Sequence, residues 1–100
     1  MGVKNFTKLK AACEDVAALL SALSHPGRLL ILGALQDGEK TVGELQDICG
    51  LSQSQLSQFL SRMKGEQLLA CRREGRFQYY FLSDPKVRKL VRELQKLYCS

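Results

Sequence analysis

A chain of 100 residues, 45% of them hydrophobic and 25% charged, has material for one core and not for two, so residues 1–100 are expected to form a single domain. Its net charge of +5 suits a polyanionic partner but does not select one. No apolar run approaches the roughly 18 residues of a membrane span, and no signal-peptide core opens the chain. The expectation is a cytoplasmic protein whose four cysteines, Cys13, Cys49, Cys71 and Cys99, are reduced at rest.

Taken in chain order, Phe6, Leu9, Cys13, Val16, Leu20 and Leu23 recur at steps of three and four, one face of a first helix. "SHPGR" interrupts it: Ser24 or His25 can cap a second helix, with Pro26 in the first turn, where its missing N–H costs nothing. That helix carries "RLLILGAL" and is expected to end at "QDGEK", with Gly38 as a left-handed stop. Thr41-Val42-Gly43-Glu44 and Ser52-Gln53-Ser54-Gln55 are both capping boxes, and the "CGL" between them is a tight connection. Two short helices so marked outline a helix-turn-helix.

In "LSQSQLSQFLSRM", Leu56, Phe59, Leu60 and Met63 share one face. After Gly65, "LLACRR" and "RFQYYFL" are strand-like runs around Glu74-Gly75, a hairpin with arginines near its tip. Asp84 caps a last helix that has Pro85 in its first turn and a stripe of Val87, Leu90, Val91, Leu94, Leu97 and Tyr98. The predicted fold is mostly α (α+β): a winged helix-turn-helix in the order α-α-α-α-β-β-α, with a dimerisation helix at each end. Both outer helices bring apolar stripes to a core that the central elements could close alone, which a two-fold dimer explains economically.

Between Ala11 and Leu51 acids outnumber bases; beyond Ser52 bases prevail. In that basic half, the outward face of the Leu51–Met63 helix is neither charged nor apolar. It carries Ser52, Gln53, Ser54, Gln55, Ser57, Gln58 and Ser61. Gln can bond an adenine bidentately and Ser can donate to or accept from base edges and phosphates, so short polar side chains suit a helix that must approach bases closely. Serine is a middling helix former and a poor choice for an idle face. Arg62 and Lys64 flank this face for the DNA backbone, while Arg72, Arg73 and Arg76 on the hairpin suit phosphate or minor-groove contact. The expected partners are double-stranded operator DNA and a second copy of the chain, with no membrane.

These motifs resemble the ArsR/SmtB family of winged-helix transcriptional regulators. "LSALSHPGRLLIL" is similar to its second-helix signature, "TVGELQDICGLSQSQLSQFLSRM" to its helix-turn-helix and "REGRFQYYFL" to its wing, over about Ala18 to Cys99. "GLSQSQLSQ" and the ending "LYC" look most like the sulfur-responsive BigR/HlyU-like branch. The resemblance implies a homodimer that binds operator DNA, usually as a repressor that a ligand or thiol modification releases.

The family's metal sites do not carry over. Thr41 and Gly43 stand where its cadmium and lead sensors have cysteines, and Lys86 stands where its zinc sensors follow the Asp84 position with histidine. No metal and no cofactor is expected. The sulfur-responsive branch pairs a second-helix cysteine with one near the end of the last helix. Cys99 matches the second, but Gly33 occupies the first, so Cys13 on the first helix is the substitute partner for a thiol switch. Cys49 and Cys71 read as packing residues.

The leading expectation is therefore a dimeric DNA-binding repressor, switched through Cys99 and Cys13. Three alternatives stand beside it: a regulator without a thiol switch, a metalloid-responsive repressor using Cys13 and Cys49, and a winged-helix module that binds protein. A thiol enzyme would need a cysteine beside His25, the only histidine, and the sequence signals neither that pairing nor a pocket.

Overall fold

Ser24, His25 and Pro26 turn the chain through a sharp corner. In the computed structural model, which describes residues 3–99, α1 (Val3–Ala22) and α2 (Pro26–Ala34) meet at a bend of 93°. His25 is the cap of α2: its Nδ1 accepts from the Gly27 N–H at 2.9 Å, and Pro26 fills the first turn.

α2 stops at Ala34, before the "QDGEK" end expected from sequence. The Gln36 N–H donates to the Gly33 carbonyl, an i to i+3 bond that tightens the last turn. Gly38 lies beyond, at φ +139°, in the turn that follows the helix.

Both capping boxes form. Thr41 Oγ1 accepts from Glu44 N at 3.2 Å and the Glu44 carboxylate accepts from Thr41 N at 2.9 Å, starting α3 (Val42–Cys49). Gly50 follows at φ +65°, a conformation other side chains adopt only with strain, and its N–H closes α3 onto the Gln46 carbonyl. Two residues later Ser52 Oγ accepts from Gln55 N at 3.1 Å and opens α4 (Gln53–Gly65).

The hairpin pairs β2 (Leu69–Glu74) with β3 (Phe77–Leu82) through a two-residue turn at Gly75 and Arg76, in a register that sets Arg72 opposite Tyr79. A third strand, absent from the sequence reading, is β1 (Lys40–Thr41) on the other side of β3, with Thr41 opposite Tyr79. The sheet order is β1-β3-β2. Two residues that run straight into a capping box are too few to show a period of two. The last helix, α5 (Pro85–Cys99), begins with Asp84 Oδ1 accepting from Lys86 N at 2.9 Å.

Ile31, Leu32 and Leu35 of α2, Leu45 of α3, Leu56, Leu60 and Met63 of α4, and Leu69 of β2 are buried in one cluster with Val87 and Val91 of α5. The last helix is thus needed to close the core, contrary to the expectation that the central elements suffice. Among the described residues α1 adds only Ala22 to the buried cluster, and Leu23 joins it just past the helix end. Its Phe6, Leu9, Val16 and Leu20 are exposed, as are Leu97 and Tyr98 at the end of α5, 72% and 83% accessible. No single helix among the described residues is long and apolar enough to cross a membrane.

Candidate nucleic-acid interface

The helix-turn-helix presents α4 by its polar side. Leu56, Leu60 and Met63 are buried and Phe59 is half-buried against the core, while Ser52, Gln53, Ser54, Gln55, Ser57, Gln58 and Ser61 are all exposed. Within that face the roles divide. Ser52 and Gln55 are engaged with each other: the Gln55 side-chain carbonyl lies 3.4 Å from the Ser52 N–H and 3.3 Å from its hydroxyl. Gln53, Ser54, Ser57, Gln58 and Ser61 make no side-chain hydrogen bond among the described residues, so their donors and acceptors point at solvent. A helix face of free amides and hydroxyls, supported by an apolar opposite face, can read base edges.

The cations around it are held to different degrees. Arg62 is exposed, with Nε 3.9 Å from Glu66 one turn on. Lys64 sits against the Cys71 sulfur, whose hydrogen bond raises the ammonium above its ordinary lysine pKa. On the hairpin, Arg73 and Arg76 are exposed and unpaired among the described residues. Arg72 is exposed but committed to partners within the protein. Its Nε donates to Glu39 Oε2 at 2.8 Å, its Nη2 to Glu39 Oε1, and its Nη1 to Glu74 Oε2 at 2.8 Å.

Sequence reasoning missed the cluster that seats α4. Arg28, 8% exposed, donates from Nη1 to the Ala22 carbonyl at 2.9 Å, with Glu66 at 3.8 Å and the Phe59 ring centroid 5.9 Å from its Cζ. One guanidinium therefore ties the end of α1 and the start of α2 to both ends of the last two turns of α4. The signal available was "HPGR" itself, an arginine one turn into an otherwise apolar helix.

Residues 25–70, from the α2 cap through the helix-turn-helix, match the family model of the bacterial regulatory proteins, arsR family. The transcriptional regulator YgaV of Escherichia coli K12 is 42% identical over 93 residues, covering 92% of this chain and 94% of its own. The transcriptional repressor BigR from Xylella fastidiosa superposes with a TM-score of 0.88 at 34% identity, over 100% of this chain and 99% of that one. HlyU from Vibrio vulnificus CMCP6 gives 0.87 at 35%, over 95% and 99%. The chain belongs to the ArsR family. Within the family it stands with BigR and HlyU, and like them it is a winged helix-turn-helix transcriptional regulator and not an enzyme.

In this ArsR-family chain all four cysteines are free thiols. Cys49 is buried, and burial pushes its thiol above the ordinary cysteine pKa. Cys71 is half-buried, with its sulfur 3.1 Å from the Gln78 side-chain amide. Cys99 and Gly33 line one groove of about 660 Å³ between α2 and α5, walled by Leu29, Leu30, Ile48, Leu94 and Tyr98. A side chain at position 33 would point into that groove, its Cβ 3.0 Å from the Gln95 amide. Cys13 is exposed on α1, an apolar-repeat position that the monomer leaves uncovered. Among the described residues no three His, Cys, Asp or Glu side chains gather into a metal site.

Proposed function

We propose that this ArsR-family regulator is a dimeric repressor that reads operator DNA with the exposed face of α4. The observation that carries the reading is the division of α4 into a buried apolar face and a face of unbonded Gln and Ser side chains, with Arg62, Arg73 and Arg76 around it. Gln53, Ser54, Ser57 and Gln58 are the base-reading residues. Ser52 and Gln55 hold the helix start at the right height over the groove.

The dimer is supported by apolar surface on both outer helices. Phe6, Leu9, Val16 and Leu20 on α1 and Leu97 and Tyr98 on α5 are too many large exposed apolar side chains for a monomer to carry idly. A two-fold axis through these helices would set the two α4 copies at successive major grooves, about 34–36 Å apart, over an imperfect inverted repeat. Work on the chromosome puts the protein in the cytoplasm.

Cys99 is the thiol through which oxidation releases the operator. It is exposed at the end of α5, on a groove shared with α2, so modification there bears on the helix pairing that spaces the reading helices. Cys13 of the second protomer is its partner, because within one protomer the Cys13 stretch of α1 lies by Asp84 and Lys86 at the start of α5, the length of a 15-residue helix from Cys99. As the bridge forms, a sulfur–sulfur bond of the polysulfide breaks and takes up the two electrons and two protons of the thiol pair as sulfide.

Titration of a duplex from the chain's own upstream region, reduced and after polysulfide treatment, tests both parts. The reduced protein binds with affinity that falls steeply with salt, and treatment weakens binding unless Cys99 is replaced by Ser. Binding that ignores salt contradicts the DNA reading. Unchanged affinity and mass after treatment contradict the switch alone.

A further inference from the structure

We infer that Arg72 is the positioning residue that fixes the wing against the helix-turn-helix, and is not itself a phosphate contact. The inference rests on the DNA-binding reading above.

Arg72 is on β2, opposite Tyr79 of β3, and Thr41 of β1 pairs with the same Tyr79 from the other side. The guanidinium crosses the Tyr79 ring, its Cζ 4.7 Å from the centroid, and reaches Glu39 immediately before β1. There it binds both carboxylate oxygens, through Nε and Nη2, while Nη1 holds Glu74. One side chain thus spans all three strands of the sheet. Two residues past Glu39 stands Thr41, whose hydroxyl caps α3. The wing is thereby braced, through a two-residue link, to the start of the helix-turn-helix.

An isolated exposed ion pair rarely fixes a structure. This one is forked on a single carboxylate, shared with a second and laid on an aromatic face, and a planar guanidinium imposes direction in that arrangement where an ammonium would not. The Arg72 hydrogen bonds hold Glu39 below the ordinary glutamate pKa, so it stays ionised at neutral pH. To bind a phosphate, Arg72 has only the two N–H groups that Glu39 and Glu74 leave free, beside two carboxylates whose charge repels the anion. Arg73 and Arg76 have no comparable partners among the described residues.

The two roles predict opposite signs for one substitution. Removing the Glu39 charge makes the surface more positive, which by field alone tightens DNA binding; if Glu39 anchors the brace, its loss weakens binding. Duplex titrations across a salt series with Arg72→Gln, Glu39→Gln, the double variant and Arg73→Gln, each checked by thermal melting for an intact fold, separate them. Arg72→Gln and Glu39→Gln each weaken binding roughly threefold to tenfold at every salt concentration, and the double variant is no weaker than Arg72→Gln. The slope of log K against log salt stays at the parent value for Arg72→Gln and falls by about 0.9 for Arg73→Gln. A slope lowered by about 0.9 in Arg72→Gln, or Glu39→Gln binding as tightly as the parent or tighter, overturns the inference. A parent protein with no salt-dependent binding overturns the DNA reading itself, and this inference with it.

Discussion

The ring of His25 lies 4.7 Å from that of Phe59, tilted by 53°, so the cap of α2 rests on the inner flank of α4. Gly27 is under the same ring: a Cβ there would come within 2.7 Å of Phe59 Cε2 and 3.2 Å of His25 Nδ1. Phe59 is flanked by His25 and Arg28. Gly27→Ala is therefore expected to destabilise the fold by about 1–3 kcal/mol through overpacking, despite the better helix propensity of alanine. Urea unfolding measures it; a stability equal to the parent's or higher would show that the ring moves aside freely.

Ser52 and its neighbours on α4 separate folding from reading. Ser52→Ala removes a cap and should cost about 1 kcal/mol of stability. Gln53→Ala and Ser57→Ala remove side chains with no partner among the described residues, so stability should stay within about 0.5 kcal/mol while operator affinity drops. Paired melting and duplex titration of the three variants test this division. Loss of stability in Gln53→Ala with affinity intact would reverse it.

The Glu44 carboxylate is held below the ordinary glutamate pKa, first by the Thr41 backbone N–H and then by its hydroxyl. A carboxylate whose pKa is lowered by folding contributes stability above its unfolded value, and that contribution is lost as pH falls through the folded one. Glu44→Gln keeps an acceptor for the capping box but does not titrate. The stability gap between parent and variant should be present at pH 7 and close as pH falls below the ordinary glutamate range. A gap independent of pH would mean that the charge contributes nothing to the cap.

The thiols should differ in rate. Cys49 is buried with a raised pKa, whereas Cys13 and Cys99 are exposed. Alkylation of the native protein at neutral pH, followed by peptide mapping, should label Cys13 and Cys99 well before Cys49. Early labelling of Cys49 would place α3 in frequent local opening.

Most of the fold was legible because its boundaries are written in local chemistry. Thr41 with Glu44, Ser52 with Gln55, and Gly50 between them fix where α3 and α4 begin and turn, and each acts within four residues of itself. The polar face of α4 was legible for the same reason. What stayed hidden depends on distant partners. β1 exists only because β3 offers it an edge. Gln67 takes the left-handed conformation after α4, at φ +64°. Arg72 carries no mark in the sequence that separates a strut from a free cation; Glu39 lies 33 residues from the arginine it holds.

Two copies of α4 are expected to meet one face of a duplex one helical turn apart. Hydroxyl-radical footprinting on the chain's own upstream DNA tests it most directly. Two protected patches related by two-fold symmetry are expected, with centres about 10–10.5 base pairs apart. A single patch, or protection without symmetry, would mean that the protein reads DNA as a monomer and would contradict it.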